Sequence, residues 1–290
     1  MLLNIRSVCP ACQNNKFKKL YSLSYGEKSI VNFLENYYKE KIVIDSLKNH
    51  KYTLLECKNC NLIFQQEIPT NEFSHQLYEQ IIDKEFSLSK KKDFEKKFYK
   101  KLHYENNLIK GLFNKKVEEI SILEFGAGWG YWSDYFKNQD FNVSAYEISE
   151  TRINFMKKNQ ISVISKINDF TKKFDFIYSE ETFEHINDPK ETLLILSKIL
   201  NDDGFILLRF PSNFLFKLKL NKKYVPRADC AHPLEHINLF KLKSFKEMIK
   251  DMDLEVISLK SKYNFSIKNI LKDFKNIFYF DSVLIKKNIK

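Results

Sequence analysis

A chain of 290 residues, 43% of them hydrophobic, can bury one sizeable core and still carry a smaller module. No apolar run approaches the roughly 18 residues of a membrane-spanning helix, and the N-terminal apolar stretch is too short for a secretory signal, so we expect a cytoplasmic protein. The net charge of +11 points to an anionic partner such as a nucleic acid, but an AT-rich coding sequence would give the same lysine excess.

The first 60 residues contain two Cys-x-x-Cys pairs. Four thiolates at this spacing can close a tetrahedron around one zinc ion, whereas a redox pair normally lies in a thioredoxin-like strand-helix unit that is missing here. Asn61 favours a zinc knuckle, because asparagine tolerates the left-handed conformation needed after the second cysteine. We predict a structural zinc site whose ligands are Cys9, Cys12, Cys57 and Cys60.

Helical periodicity marks the segments that follow each pair. Residues 27–39 are predicted to form a helix with Ile30, Leu34, Tyr37 and Tyr38 on one side. Residues 71–110 lack glycine and proline, and their apolar residues predict two helices that end at Gly111. These helices would link the zinc module to the rest of the chain and roof a ligand pocket. The lysine-rich run at 90–101 is interpreted as the solvated face of one of them.

The stretch ILEFGAGWG, residues 122–130, places three glycines one residue apart after a short apolar run. Glycine accepts positive φ and leaves room for a ligand where a Cβ would collide, so we predict a strand, a ligand-holding turn and a helix. A dinucleotide fingerprint requires glycine where this chain has Tyr131. The candidate ligand contacts are Glu124, Gly126, Ala127, Gly128 and Gly130.

Acidic residues follow the next three predicted strands. The second strand, residues 141–149, ends about 20 residues downstream of the glycines, where α/β nucleotide folds keep a carboxylate for ribose hydroxyls. The fourth strand begins the stretch FDFIYSEETFEHINDP, residues 174–189. The residues concerned are Glu147, with Ile148 after it, Asp169 after the third strand, and Glu180 and Glu181 at the end of the fourth.

The glycine motif, Glu147 and residues 174–189 together resemble the class I S-adenosylmethionine-dependent methyltransferases, over roughly residue 119 to the C-terminus. The resemblance implies an α/β, Rossmann-like sheet that is mostly parallel, with an antiparallel last strand. It also implies that S-adenosylmethionine is bound by Glu124, Gly126, Ala127, Gly128, Gly130, Glu147, Ile148, Asp169 and Glu180.

The cysteine pairs extend the resemblance to sugar methyltransferases of deoxysugar and surface-glycan pathways, which carry a zinc module before the cofactor domain. The longer sugar C-methyltransferases have an additional C-terminal domain, for which we expect this chain to end too soon. Oxygen is therefore the preferred acceptor atom.

Methylation of a hydroxyl needs a base, and a histidine of near-neutral pKa suits this role. His185 follows the fourth strand, at the edge where α/β sheets bind ligands, although it could instead pack beneath the cofactor. His232 and His236 lie on the long connection after the fifth strand. By resemblance we favour His236 as base or substrate contact, with His185 and Glu181 as further catalytic candidates.

Beyond the fourth strand we predict a helix over residues 189–200, a strand opened by Gly204, a helix over 244–252, and strands near 254–259 and 278–285. The chain would then contain a zinc-binding module (1–68), a helical linker or lid (69–115) and an S-adenosylmethionine-binding methyltransferase domain (116–290).

The expected function is O-methylation of a small hydroxylated metabolite, most readily a sugar or nucleotide-activated sugar in surface-glycan biosynthesis. Two alternatives stay open. An RNA methyltransferase would use the zinc module and the basic surface, although enzymes that methylate base amines carry an Asn/Asp-Pro-Pro-aromatic motif where this chain has SEETF. A non-catalytic adaptor would bind the cofactor only, but the glycine triplet and Glu147 are not needed merely for folding.

Overall fold

A β-rich N-terminal part opens the chain. The computed structural model describes residues 2–39, 41–42, 44–89, 91, 93–213, 215–221, 223–257 and 281–288. The N-terminal part comprises β1 (Leu3–Ile5), β2 (Phe17–Ser24), α1 (Lys28–Tyr38), β3 (Lys51–Cys57), β4 (Ile63–Gln65) and β5 (Glu67–Pro69). Ile30, Leu34 and Tyr38 are buried on one face of α1, as predicted, whereas Tyr37 is 42% exposed.

Four helical elements occupy residues 71–112, so the prediction of two helices is wrong. They are α2 (Asn71–Gln76), a π-helical turn (Leu77–Ile81), α3 (Lys84–Ser89) and α4 (Phe94–Leu112). Gly111 lies inside α4 instead of ending it, since tertiary contacts hold this helix against the sheet. The fully buried Glu105 accepts hydrogen bonds from Trp132 Nε1 at 2.9 Å and from Arg209 Nε at 2.8 Å.

Helices and strands alternate through the remainder of the chain. The elements are β6 (Ser121–Phe125), α5 (Tyr131–Lys137), β7 (Asn142–Tyr146), α6 (Glu150–Lys158), β8 (Val163–Ile164), β9 (Phe174–Glu180), α7 (Pro189–Lys198), β10 (Leu200–Arg209), α8 (Phe216–Lys219), β11 (Asn238–Leu239), α9 (Leu242–Met248), β12 (Leu254–Ile257) and β13 (Ser282–Lys287). The helix predicted over 189–200 is α7. It begins at Pro189 because Asp188 accepts the Glu191 backbone N–H at 3.1 Å.

Seven strands form the central sheet in the order β12-β13-β10-β9-β6-β7-β8. All neighbouring pairs from β10 to β8 are parallel, and β13 is antiparallel to both β10 and β12. The predicted mostly parallel sheet with an antiparallel last strand is therefore confirmed. The strand order reverses between β6 and β9, and α/β sheets bind ligands outside the carboxyl ends of the strands at such a reversal.

A second, antiparallel sheet joins the N-terminal part to the connection that follows β10. Its order is β11-β4-β3-β2, so a short strand from the connection after β10 completes the N-terminal sheet. Asn238 pairs with Phe64 and Leu239 with Ile63. One buried cluster continues across both sheets and includes Cys57, Phe64, Leu123 and Phe210. The N-terminal part therefore packs as part of the main core.

The C-terminal elements depart from the sequence predictions in two places. Gly204 lies inside β10, next to an irregularity between Leu200 and Phe205, and does not open the strand. The helix predicted over 244–252 is α9, which begins two residues earlier, at Leu242, and ends at Met248. Residues 258–259 and 278–280 of the predicted strands lie outside the described residues. Among the residues that are described, no helix has the length and apolar character required to cross a membrane.

Candidate active site

The glycine turn between β6 and α5 lies at the reversal of strand order. Gly126, Gly128 and Gly130 have φ values of +77°, +58° and +72°, which glycine adopts without strain. The backbone N–H groups of Gly126 and Ala127 donate to Tyr146 O at 2.9 and 3.0 Å, which fixes the turn to the end of β7.

Space around the three glycines differs. A Cβ on Gly126 would lie 2.3 Å from Thr182 Oγ1, and one on Gly130 would lie 2.6 Å from the Met156 side chain. At Gly128, by contrast, no atom of the described chain lies within 4 Å of that position. The turn is therefore closely packed at its two ends and open at Gly128, where a ligand has room.

Glu147 faces this opening from the end of β7. Its carboxylate accepts the Gly128 N–H at 2.7 Å and the N–H groups of Ile148 and Ser149, both at 2.9 Å. Three backbone donors fix the carboxylate in one orientation, with only 6% of the residue exposed. The neighbouring Ile148 is 51% exposed and offers an apolar surface beside it. An open turn, a fixed carboxylate and an apolar side chain fit a nucleoside.

Glu124 supports the turn from beneath. Its buried carboxylate accepts hydrogen bonds from Ser133 N at 3.0 Å and Ser133 Oγ at 2.6 Å, which ties β6 to the start of α5. Burial raises the pKa of Glu124 to about 8, and the two hydrogen bonds from Ser133 oppose that shift. Glu124 therefore shapes the turn through α5.

The other acidic candidates lie beyond the carboxyl ends of β8 and β9. Glu180 forms an ion pair with Lys101 of α4 and accepts the Tyr178 hydroxyl at 3.1 Å. Glu181 is exposed and has a left-handed backbone with φ +48°. Asp169 is exposed in a 3₁₀ turn after β8. Glu180 is thus engaged by α4, whereas Glu181 and Asp169 are accessible.

Three histidines converge beside this edge. His185 follows β9, and its ring centroid lies 4.8 Å from that of His236. His232 lies on the same loop as His236, with ring centroids 5.7 Å apart. Long-range pairing of β11 with β4 holds this loop in place, so that residues distant in sequence form one cluster.

Burial controls the protonation of this cluster. It lowers the pKa of His232 to about 3, and it lowers the pKa of His185 well below its usual value, with the neighbouring histidines adding to the effect. Burial also lowers the pKa of His236, although a hydrogen bond to Asp229 opposes the shift. His236 Nδ1 lies 2.6 Å from the Asp229 carbonyl oxygen, so Nδ1 carries the proton that is donated. The Nε2 lone pair of His236 is then available.

Aromatic residues from the N-terminal half wall the cluster. Tyr37 of α1 lies 4.4 Å from the His232 ring, and Tyr78 of the π-helical turn lies 5.8 Å from the His185 ring, between centroids. Tyr38 donates its hydroxyl to Glu235 at 2.6 Å, and burial raises the pKa of Glu235 to about 7.

Two of these residues escaped the sequence analysis. The only sequence signal at Tyr78 is helical periodicity. This signal does not distinguish a residue beside a functional site from a residue of the core. Glu235 carried a stronger signal, because a Glu-His pair occurs twice, at residues 184–185 and 235–236. That repeat could have singled out Glu184 and Glu235 as candidates.

Comparison with known proteins identifies the family. Residues 96–259, over half of the chain, match the family described as Methyltransferase domain. The chain belongs to the class I S-adenosylmethionine-dependent methyltransferases. The prediction made from the glycine motif and Glu147 is confirmed at this level.

Relatives of this methyltransferase share moderate identity with it. Malonyl-[acyl-carrier protein] O-methyltransferase 2 of Ilyobacter polytropus is 28% identical over 180 residues, covering 58% of this chain and 69% of that protein. Ubiquinone biosynthesis O-methyltransferase of Rickettsia bellii is 24% identical over 205 residues, covering 65% of this chain and 84% of that protein.

Among solved structures, the plantazolicin methyltransferase BpumL in complex with SAH superimposes with a TM-score of 0.53 at 19% identity. The match covers 74% of this chain and 94% of that one. This likeness supports the fold.

The four cysteines of the methyltransferase form a separate cluster in the N-terminal part. Their sulfur atoms all lie within 4.8 Å of one another, with Cys9 and Cys60 at 3.5 Å and Cys12 and Cys57 also at 3.5 Å. A tetrahedron of thiolates about 2.3 Å from one zinc ion has edges of about 3.8 Å, so the donor set fits zinc.

Both cysteine turns have the same backbone pattern. The residue after each second cysteine is left-handed, with φ +58° at Gln13 and +62° at Asn61, as predicted for Asn61. Each donates its N–H to the carbonyl of the first cysteine of its pair, at 2.9 and 3.0 Å. Two equivalent knuckles therefore present their thiols to one centre.

Proposed function

We propose that this methyltransferase transfers the methyl group of S-adenosylmethionine to a hydroxyl of a small metabolite. The observation that carries the proposal is the 2.6 Å distance between His236 Nδ1 and the Asp229 carbonyl oxygen. Because the carbonyl can only accept, the proton is on Nδ1, and Nε2 keeps its lone pair inside the histidine cluster. Bound S-adenosylmethionine supplies an electrophilic methyl group. The chain has to align the acceptor, exclude water and take up the hydroxyl proton.

Each candidate residue has a distinct task in this proposal. Gly126, Ala127, Gly128 and Gly130 form the backbone cradle, and Glu147 and Ile148 hold the nucleoside. Glu124 and Glu180 position the turn and the end of β9, while Asp169 is placed to reach the rim of the cofactor. His236 accepts the proton, with His185 and Glu181 orienting the acceptor.

Oxygen is supported as the acceptor atom by the two relatives whose names state O-methylation. A sugar or nucleotide-activated sugar is supported by the aromatic side chains around the histidine cluster. Aromatic faces such as Tyr37 stack on sugar rings, and the buried Nε2 of His232 has no hydrogen-bond partner among the described residues, so it can receive one from a hydroxylated ligand. We place this reaction in surface-glycan biosynthesis.

Zinc binding by Cys9, Cys12, Cys57 and Cys60 is the structural part of the proposal. Four thiolates leave no open coordination position, so the ion would stabilise the N-terminal sheet without touching the substrate. We accordingly divide the chain into a zinc module (1–68), a helical lid (69–115) and a cofactor domain (116–290). The lid assignment is supported by Ser87 of α3, which accepts a hydrogen bond from Trp129 of the glycine turn at 3.2 Å.

Purified enzyme incubated with labelled S-adenosylmethionine and a panel of nucleotide sugars, free sugars and RNA tests the proposal. We expect methylation of a sugar hydroxyl. His236→Ala should lower kcat by about 100-fold, the scale of a lost general base, while S-adenosylhomocysteine affinity changes little. Methylation of RNA alone would favour the rival enzyme class. Unchanged activity of His236→Ala would remove His236 from the mechanism.

Calorimetric titration with S-adenosylhomocysteine tests cofactor binding separately. Gly128→Val should abolish the binding heat, because its side chain fills the open side of the turn. Metal analysis tests the zinc module, and Cys57→Ser should lose about one zinc per chain. An adaptor without catalysis would bind S-adenosylhomocysteine normally but methylate no acceptor on the panel.

A further inference from the structure

A second group of possible metal ligands lies inside the histidine cluster. Glu184, His185 and His236 each offer one ligand atom, and these atoms lie within 4.8 Å of one another. Glu184 and His185 are consecutive in the 3₁₀ turn after β9, whereas His236 comes from the loop before β11. Two separate segments thus aim a carboxylate and two imidazoles at one point.

Three polar atoms of this group lack hydrogen-bond partners among the described residues. Glu184 is 1% exposed, and neither of its carboxylate oxygens has a hydrogen-bond partner among the described residues. Nδ1 of His185 is likewise buried and unpartnered within that part of the chain. His185 Nε2 lies 4.0 Å from Glu184 Oε1, too far for a hydrogen bond. A buried carboxylate without a partner is destabilising unless a proton or a cation neutralises it, so a bound cation would satisfy the group.

Hydrogen bonds fix the orientation of His236 and join the two segments that carry the three side chains. Ligating histidines usually donate their second ring N–H to a carbonyl or carboxylate, and His236 already donates Nδ1–H to Asp229 O at 2.6 Å. The two segments are also bound to each other. Ile237 N donates to Glu184 O at 2.8 Å, and Asn238 Nδ2 donates to Ile186 O at 2.7 Å.

We propose that Glu184, His185 and His236 bind a divalent transition-metal ion, in addition to the zinc held by the four cysteines. Two imidazoles favour zinc, iron, cobalt or nickel over magnesium and calcium, which prefer all-oxygen sites. Three protein ligands leave at least one coordination position open, as in catalytic and not structural metal sites.

The open position gives the ion a task that rests on the proposed function. A hydroxyl bound to the ion has a lowered pKa and keeps a fixed orientation, so the ion would prepare the acceptor oxygen for methylation. With the ion bound, Nε2 of His236 is a ligand, so the role of His236 as the base would apply only to the chain without the ion. The hydroxyl proton would then leave to a neighbouring carboxylate or to solvent. The competing occupant of the cluster is a water molecule or a substrate hydroxyl without any metal.

Metal content of the full chain distinguishes these occupants. The chain is equilibrated with excess Zn²⁺, passed through a desalting column and analysed by mass spectrometry. We expect about two zinc ions in the wild type and about one in each of Glu184→Gln, His236→Gln and Cys57→Ser. His103→Asn, which removes an exposed histidine of α4, is the matched control and should keep both ions.

Co²⁺ replaces Zn²⁺ in a second experiment and reports the ligand type. Cys57→Ser should lose the thiolate charge-transfer bands, whereas Glu184→Gln should lose only the weaker visible bands of a nitrogen and oxygen site. Circular dichroism establishes that each variant is folded, and His236→Gln replaces Glu184→Gln if the buried substitution prevents folding. Equal zinc in the wild type, Glu184→Gln and His236→Gln would overturn the proposal, whether the wild type holds one ion or two.

This experiment is independent of the methylation assay. A chain with a second ion that methylates no hydroxyl contradicts only the proposed function. A chain that methylates a hydroxyl while holding one zinc contradicts only the second metal site.

Discussion

Gly126 and Gly128 lie two residues apart in one turn, but side chains at the two positions would have different effects. Alanine at either position adopts a left-handed backbone at a cost of about 1–2 kcal/mol. At Gly126 the new Cβ also collides with Thr182. We expect Gly126→Ala to lower the free energy of unfolding more than Gly128→Ala, measured in urea without cofactor. Gly128→Ala should instead weaken S-adenosylhomocysteine binding by about tenfold or more, about 1.4 kcal/mol.

Thr182→Ala provides the control for this comparison. It removes the two atoms that lie 2.3 and 2.6 Å from the Cβ position of Gly126 and leaves the third at 3.0 Å. The double variant Gly126→Ala/Thr182→Ala should therefore recover part of the lost stability, since the two sites are in direct contact. Equal destabilisation by Gly126→Ala and Gly128→Ala would contradict the close packing at Gly126.

Glu124 gives the protein a pH dependence of known sign. Its pKa is about 8 in the folded chain, against 4.5 for an ordinary glutamate, so the folded state binds a proton that the unfolded state has released. The stability from Glu124 is complete below about pH 4.5 and is lost as the pH rises through about 8.

Glu124→Gln tests this sign because glutamine cannot ionise. The free energy of unfolding is measured by urea denaturation for the wild type and for Glu124→Gln. The value of the wild type minus that of the variant should fall by a few kcal/mol between about pH 5 and about pH 8. Subtracting the variant removes the contributions of the buried histidines, which act in the opposite direction. A difference that stays flat or rises over this range would show that Glu124 is ionised in the folded protein.

At the scale of elements, local signals predicted some parts of the fold and missed others. The buried strand β6, the glycine turn and the capped helix α7 carry their information in adjacent residues, and the sequence predicted them. Residues 71–112 break into four elements without any glycine or proline at the breaks; one break occurs at Asp93, a left-handed aspartate with φ +56°. Aspartate tolerates this conformation, but most aspartates do not adopt it, so its presence in the sequence does not predict a break.

The candidate site was predictable to a similar extent. Glu147 and the glycines are close to their own strands in sequence, so the resemblance located them. The contact between His185 and His236 depends instead on the pairing of two-residue strand β11 with β4, which is a long-range event. Both histidines were predicted as site candidates, but their contact was not predicted. Glu184 and Tyr78 were not among the predicted site residues.

Arg6 holds this long-range junction. Its buried guanidinium donates to Ile237 O at 3.2 Å, to Asn238 Oδ1 at 2.9 Å and to Asn187 O at 2.7 Å, so it connects the N-terminus with β11 and with the turn before α7. Arg6→Met keeps the bulk and removes every donor. We expect a loss of about 2–4 kcal/mol in urea unfolding, because two buried acceptors and one part-buried acceptor lose their charged donor.

Arg6→Lys is the partial control for this prediction. It keeps the charge but cannot reach three acceptors with a planar fork, so its stability should fall between those of the wild type and Arg6→Met. If Arg6→Met were as stable as the wild type, the junction would depend on β11 pairing alone.

At the scale of the whole molecule, the N-terminal part shares a core with the cofactor domain and supports the histidine cluster. Cys57 and Phe64 belong to the same buried cluster as Leu123 of β6 and Phe210 after β10. The N-terminal sheet also contains β11, which begins two residues after His236. If the four cysteines hold zinc as proposed, loss of the ion should therefore loosen the histidine loop, residues 229–237, more than the glycine turn, because this loop is hydrogen-bonded directly to Gln65 of β4.

Hydrogen exchange of Cys57→Ser, compared with that of the wild type, measures how far the cysteine cluster stabilises the histidine loop. We expect faster exchange in residues 232–240 and near-unchanged exchange in residues 121–130. Turnover should fall by about tenfold or more, whereas the affinity for S-adenosylhomocysteine should change by about threefold or less. Cys230→Ser, which alters the one cysteine outside the cluster, controls for loss of a thiol. Parallel loss of affinity and turnover would mean that the zinc module stabilises the whole core uniformly. Unchanged exchange in the histidine loop would mean that β11 keeps its place without the metal, and that the two ends of the chain are joined by packing alone.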